Sequence, residues 1–568
     1  MHTNTTYHLN SNFRAALPHR SVLRSLHEKT VRYCRSLFTY EHILLVLPLL
    51  IYNCIMLRYV NFFPLWDSRA YWGHLYEAVT NGFKLENFAF GGHPSYAYGL
   101  IFAASQYAFG LGNIYALNGT TLVLGNAAIL AFRSIIRSLF PEDSADLIFL
   151  KTVIFASHPA ILANSINFNL DTGILFFWLF LLFFLFQKRT IFAMLSGFIL
   201  VFTKEVGIVI FIATTVAYCT CFVCPTFILQ RTHWRTLLNK WPLLLPIFSF
   251  AAYFCIKQYV YNQNPYWSGA PGLGGLIRIL LNIDPFDPAF VSTIADVFIL
   301  NFMWIGSTCI LIVVLQVILH KRCNCCSEAK DNRIRAGILM IVLILLVSIY
   351  ATSRIHTPNN IRYWLVLYPM ALIIIYASIQ SIVGNRSLAI ASLAMFCCLN
   401  QLSLYWVLDP VSKHLFGTIP FGENLLLTPG TLMPWGSSGI PRDDLVYNLQ
   451  FVEFGKVQDQ IYEWIRPTDS TYIVASRHDT WMGFDEDLDA HTFHRSVATP
   501  HTIRPQYTDA SGILSMNHPP HELFYIHYPN IRDANEFSTL FNHYTIIEEQ
   551  EIGANPGYHI RVSRLTLK

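Results

Sequence analysis

SYAYGLIFAASQYAFG, residues 95–110, decides how this chain is threaded through a membrane. The run is apolar enough to cross a bilayer and short enough to lie along its surface. If it crosses, RSIIR at 133–137 and every later loop change sides. Basic residues gather on the cytoplasmic side of membrane proteins, so their distribution can choose between the two readings.

The chain has 568 residues, of which 53% are hydrophobic and only 13% charged. Soluble domains carry about 25% charged residues, so this composition marks a polytopic membrane protein. A bilayer-crossing helix needs roughly 17–25 residues. Eleven stretches qualify as spans: 41–60, 115–132, 147–163, 170–187, 191–203, 206–224, 241–260, 297–319, 336–352, 363–382 and 388–407. With 95–110 kept out of the membrane and the N-terminus inside, the inner segments hold 19 Lys and Arg and the outer segments before residue 408 hold 6. That asymmetry favours eleven spans and an interfacial helix at 95–110. The expected organisation is a cytoplasmic segment at 1–40, a transmembrane domain at 41–407 with its first outer loop at 61–114, and an outer-face domain at 408–568. About 40 polar residues precede the first span without a cleavage signal, so no secretory leader is expected.

The last segment is polar and rich in His, Pro and Asp. DDLVYNLQFVEFGKVQDQIYEWI (443–465) and RDANEFSTLFNHY (532–544) read as helices. TYIVAS (471–476), LFYIHY (523–528), TIIEEQEI (545–552) and YHIRVSRL (558–565) read as strands. The mixture predicts a soluble α/β domain. All twelve Cys fall in spans or inner segments, so no outer disulfide is expected. The cluster CNCC (323–326) lacks a second pair at zinc spacing and reads as cytosolic thiols or palmitoylation sites. The outer regions carry one N-x-S/T match, Asn118-Gly-Thr, pressed against a span. Such scarcity favours a bacterial plasma membrane over the endoplasmic reticulum. No basic patch suits a nucleic acid.

This topology gathers unusual polar residues on the outer face. WDSRAYWGHLYEAVTNGF (66–83) opens on Asp67, with Tyr71 and His74 at i+4 and i+7 on the same helix face. GGHPSY (91–96) puts His93 at a turn. NFNLD (167–171) puts Asp171 at a span mouth. TKE (203–205) sets Lys204 and Glu205 between two spans, and SRIHTPNNIRYW (353–364) brings Arg354, His356 and Arg362. Each has a plain reading: Asp67 and Asp171 as helix caps, His93 as a turn residue, Lys204 snorkelling, the arginines on lipid headgroups. Ionisable groups gathered at membrane depth are instead functional candidates. Cations suit a phosphate, a carboxylate suits a general base, and interfacial helices suit a substrate with its tail in lipid. A lipid-linked phosphosugar satisfies all three. A transporter or flippase would show internal repeats and midplane charges, neither of which is visible here. A non-catalytic assembly protein would leave these charges dispersed.

The landmarks FPLWDSRAYW, GGHPSYAYG, NLDTGILFFWLFLLFF, LSGFILVFTKEVGIVI (195–210) and RYWLVLYPMAL resemble those of the GT-C membrane glycosyltransferases. The resemblance is to the branch that includes protein O-mannosyltransferases and the lipid A aminoarabinose transferase. It implies a polyprenyl-phosphate sugar donor, inversion at the sugar, and a first-loop acid acting as catalytic base, a role that falls on Asp67. It places His93, Asp171, Lys204 and Arg362 at the donor. The expected acceptor is a glycan, lipid or protein. No cofactor is expected. No Asp-x-Asp occurs in the first loop, so no divalent metal is expected either. Tyr71, His74, Glu205, Arg354 and His356 complete the candidate substrate-binding set.

Overall fold

The computed structural model describes residues 40–223, save 62–63, 65–66, 83, 85–87, 91–92 and 167; 241–263; 294–319, save 295–296 and 300–302; 328–355; 361–402; 454–475, save 469; 506–527, save 509; and 534–568, save 556–557. The N-terminal segment, CNCC, His356 and the stretch 408–453 lie outside the described residues.

Helices cover most of every one of the eleven apolar stretches. In chain order the elements are α1 (Tyr40–Arg58), α2 (Asp67–Thr80), the hairpin β1 (Ala89–Phe90) and β2 (His93–Pro94), α3 (Tyr96–Phe109), α4 (Ile114–Leu139), α5 (Ala145–Ala156), α6 (Pro159–Ser165), α7 (Leu170–Phe186), α8 (Thr190–Val201), α9 (Glu205–Tyr218), α10 (Leu245–Gln263), α11 (Met303–Leu319), α12 (Glu328–Ile355), α13 (Leu367–Ile382) and α14 (Arg386–Leu402). Among the described residues, four helices are long and apolar enough to cross a membrane: α1, α4, α9 with its π-helical extension to Phe222, and the 334–354 part of α12. The pair α5 and α6 makes a fifth, bent by 54°. The other stretches are helices that are shorter or less apolar. The decisive run 95–110 is the 14-residue α3. At 1.5 Å per residue it is about 21 Å long, less than the ~30 Å hydrocarbon core.

Local chemistry sets the breaks. The Asn113 side chain caps α4 by accepting from the backbone N–H of Tyr115 and Ala116 at 3.0 and 3.1 Å. Pro159 follows His158, and a proline cannot donate to the turn before it, so α5 stops and the chain bends. The run α7 is buried over nearly its whole circumference, as an all-apolar helix should be. Lipid is as apolar as leucine, so close backbone approach and side-chain interdigitation hold such helices together. Gly125 of α4 shows this: a Cβ there would overlap the Tyr52 hydroxyl of α1.

The C-terminal residues form a five-stranded sheet in the order β4-β3-β5-β7-β6, built from β3 (Tyr472–Ala475), β4 (Gln506–Thr508), β5 (Glu522–His527), β6 (Tyr544–Asn555) and β7 (Tyr558–Leu567). The strand β3 runs parallel to β4 and β5, while β7 is antiparallel to β5 and β6. Helix α15 (Phe454–Ile465) precedes the sheet, and α16 (Ala510–Leu514) and α17 (Ala534–His543) lie between strands. Val457, Ile461 and Ile465 form the buried stripe of α15 at helical spacing. Val474, Ile513, Tyr525, Leu540 and Leu565 make a separate small core. Edge strand β6 keeps its charges, with Glu549 and Glu551 against Arg561 of β7, which suits an edge that must not recruit other strands.

Candidate active site

Four elements converge on one group of charges. The first turn of α2 supplies Asp67, the first turn of α7 supplies Asp171, the α8–α9 turn supplies Lys204, and the 3-10 turn Ile361–Trp364 supplies Arg362. Asn169 sets the start of α7 by accepting from Thr172 N–H at 2.8 Å, which puts Asp171 one residue inside the helix mouth. Arg362 is ion-paired through Nη2 to Asp67, 295 residues earlier. Its Nε lies 3.8 Å from Asp171 Oδ2. Lys204 Nζ donates to both oxygens of Asp171, at 3.0 and 3.2 Å. Tyr363 floors the pair: Lys204 Nζ sits 4.6 Å from its ring centre and the guanidinium 5.0 Å. The Tyr363 hydroxyl accepts from Arg362 Nη2 at 3.1 Å.

A second set adjoins the first. Lys204 has extended backbone, so it and Glu205 project to opposite sides. Glu205 accepts from His93 Nδ1 at 2.7 Å and is ion-paired to Lys257 of α10. The hairpin β1–β2 aims His93, and Ser95 ties the hairpin to the α8–α9 turn by donating to the Thr203 carbonyl at 2.7 Å. Gly207 allows that turn to close, since a Cβ there would collide with the Leu200 carbonyl. Three carboxylates thus face three cations and one imidazole. Asp171 and Glu205 side chains are each 8% exposed, whereas Asp67 is 33% exposed.

Tyr71, one turn beyond Asp67, is buried with its ring stacked on Phe90 at 6.1 Å. Burial pushes its hydroxyl well above the usual range, and the carboxylates of Asp67 and Asp171 push it further, so it stays protonated as a donor. His74 lies two turns from Asp67, about 10 Å along the axis. It stacks on Phe90 at 6.4 Å and faces Glu77 at 3.8 Å. The neighbouring imidazole holds the Glu77 carboxyl below the usual carboxylate range. Arg354 is half-buried in the last turn of α12, and the ion pairs that bind the network together run through Arg362. His356 lies outside the described residues. Among the described residues no group of three or more His, Cys, Asp or Glu is placed to hold a metal.

No protein-family model and no curated protein sequence matches the chain. Among solved structures, the chain is similar to ArnT from Cupriavidus metallidurans, in its crystal structure bound to undecaprenyl phosphate. The identity is 12%, the match covers 91% of this chain and 97% of that one, and the TM-score is 0.48. It is also similar to the archaeal oligosaccharyltransferase AglB from Archaeoglobus fulgidus, in complex with an inhibitory peptide and a dolichol-phosphate. There the identity is 12%, the match covers 63% of this chain and 55% of that one, and the TM-score is 0.39. What the charged residues can do is decided by their own geometry.

Two members of the site escape a reading of the sequence. Lys257 sits in the run LPIFSFAAYFCIKQYVYNQ, where a single cation reads as a snorkelling residue, but burial against Glu205 makes it part of the cluster. Tyr363 looks like an ordinary interfacial aromatic until two cations are found over its face. A cation inside a stretch expected to span, 241–260, is the one signal that could have found Lys257. Asn118 is settled differently: it is buried in α4 and donates to the Val60 carbonyl at 2.8 Å, so the folded chain presents no glycan acceptor there.

Proposed function

We propose that the protein is an integral membrane glycosyltransferase that moves a sugar from a polyprenyl-phosphate donor to an acceptor on the outer face, with inversion. The observation that carries this reading is the convergence of Asp67, Asp171, Lys204 and Arg362, from four separate elements, into one partly open cluster of ion pairs. Asp67, the most accessible carboxylate, takes the proton of the acceptor hydroxyl. The acceptor oxygen attacks C1 as the bond from C1 to the phosphate oxygen breaks, and the electron pair leaves with the lipid phosphate. Arg362 and Lys204 are two donors of the kind that bind and stabilise a departing phosphate. The helices α2 and α3 flank the site and keep the lipid tail at the interface. The C-terminal α/β residues cover the site or bind the acceptor. The scarcity of usable glycan acceptors favours a bacterial plasma membrane.

The test uses purified Asp67→Asn in lipid nanodiscs with a lipid-linked sugar. Transfer should disappear while the melting temperature stays put. Retained transfer would remove Asp67 from the base position.

A further inference from the structure

We propose that Arg362 is a shared clamp: its move from Asp67 to the donor phosphate switches on the base, so proton abstraction waits until a lipid phosphate is seated. This rests on the glycosyl-transfer reading above and assigns that site an order of events.

The three carboxylates are not held alike. Asp171 touches its own ammonium, Lys204, through both oxygens at 3.0 and 3.2 Å, and Glu205 touches Lys257. Both are nearly closed off from solvent. Asp67 is the accessible one, and it is held by the guanidinium that also serves Asp171. Arg362 can therefore turn away from Asp171 without stranding it, because Lys204 remains. The Arg362 bond to Asp67 is the transferable one.

A phosphodiester brings what that guanidinium binds best. It offers two non-bridging oxygens to the planar fork, beside a second cation in Lys204. Its charge grows as the C1–O bond breaks, so the pull on Arg362 is strongest when a base is needed. A carboxylate held by a guanidinium is stabilised as the anion and is a weak proton acceptor; losing that partner makes it a better one. The proton balance closes: the acceptor hydroxyl gives its proton to a carboxylate oxygen of Asp67, the acceptor oxygen bonds to C1, and the phosphate oxygen keeps the electrons of the broken bond. Without a seated phosphate, Asp67 stays clamped, and an adventitious water in the site meets a poor base.

Carboxyl labelling tests this on the full chain in nanodiscs. The protein is treated with a carbodiimide and an amine, alone, with undecaprenyl phosphate, or with undecaprenol, and labelled residues are read by mass spectrometry. Native mass spectrometry records lipid binding in parallel. Undecaprenyl phosphate should raise Asp67 labelling several-fold, the alcohol should not, and Asp171 labelling should stay constant. Arg362→Gln should show high Asp67 labelling that no longer responds to the lipid. If undecaprenyl phosphate binds and Asp67 labelling is unchanged or lower, the clamp is wrong while the donor reading stands. If it does not bind, the donor reading fails and the clamp falls with it.

Discussion

Two buried charge clusters lie at the two ends of the bent pair α5–α6, and they are built differently. At one end Asp143 accepts from Lys151 Nζ at 2.7 Å and from Gln380, and the pair is 4% and 0% exposed. The ammonium sits 3.5 Å from the centre of the Phe140 ring, and the Tyr376 hydroxyl donates to the Lys151 carbonyl at 3.0 Å. Among the described residues this end pairs one acid with one cation, both closed off from solvent. At the other end, three acids and three cations interlock with His93, one cation serves two acids, and Asp67 is open. Burial of charge is common to both. What separates them is sharing and access, and those are the properties a substrate phosphate can exploit.

Substitutions at the two ends should therefore fail in different ways. The largest effect is expected at the open end, where Asp67→Asn removes a general base and should cut transfer by about 10²–10⁴ with little loss of stability. Turnover and thermal melting measured on the same preparation check it. Lys204→Met leaves Asp171 to capture Arg362 and removes one phosphate donor, so transfer should fall by about 10²–10³. A full kinetic profile should show the loss in kcat/KM. At the closed end, Lys151→Met strands a buried carboxylate and should cost roughly 3–5 kcal/mol of stability, with turnover per folded molecule unchanged. Adding Asp143→Leu should recover most of that stability, because an apolar pair replaces a buried ion pair at little cost. A closed-end variant that stayed folded but lost turnover would break the comparison. The smallest effect on turnover is expected from Glu205→Gln, which weakens the hold on His93: KM should rise about tenfold, the worth of one charged hydrogen bond, while the melting temperature falls because buried Lys257 is left beside a neutral amide.

Much of this was legible in the chain itself. Length and apolarity place the helices, because a segment that cannot leave its N–H groups unpaired in lipid has few alternatives to a helix. Asp67, His93, Asp171, Lys204 and Arg362 stand out because charges are rare in such a composition. The strands at 472–475, 522–527, 544–555 and 558–567 follow from alternation and β-branched content. The short β4 at 506–508 does not, since three residues of QYT carry no period and exist as a strand only because β3 lies alongside.

Taken alone, the sequence determined that the chain is a many-helix membrane protein with its rare charges grouped by topology, because hydropathy and charge asymmetry act locally along the chain. The tertiary structure alone decided who pairs with whom. Asp67 meets Arg362 across 295 residues, and Lys257 is turned from a lone cation into the partner of Glu205. Coulomb attraction falls off within a few ångströms once charges are hydrated, so the partner of a charge is fixed by which helices pack side by side, and no spacing in the sequence records that.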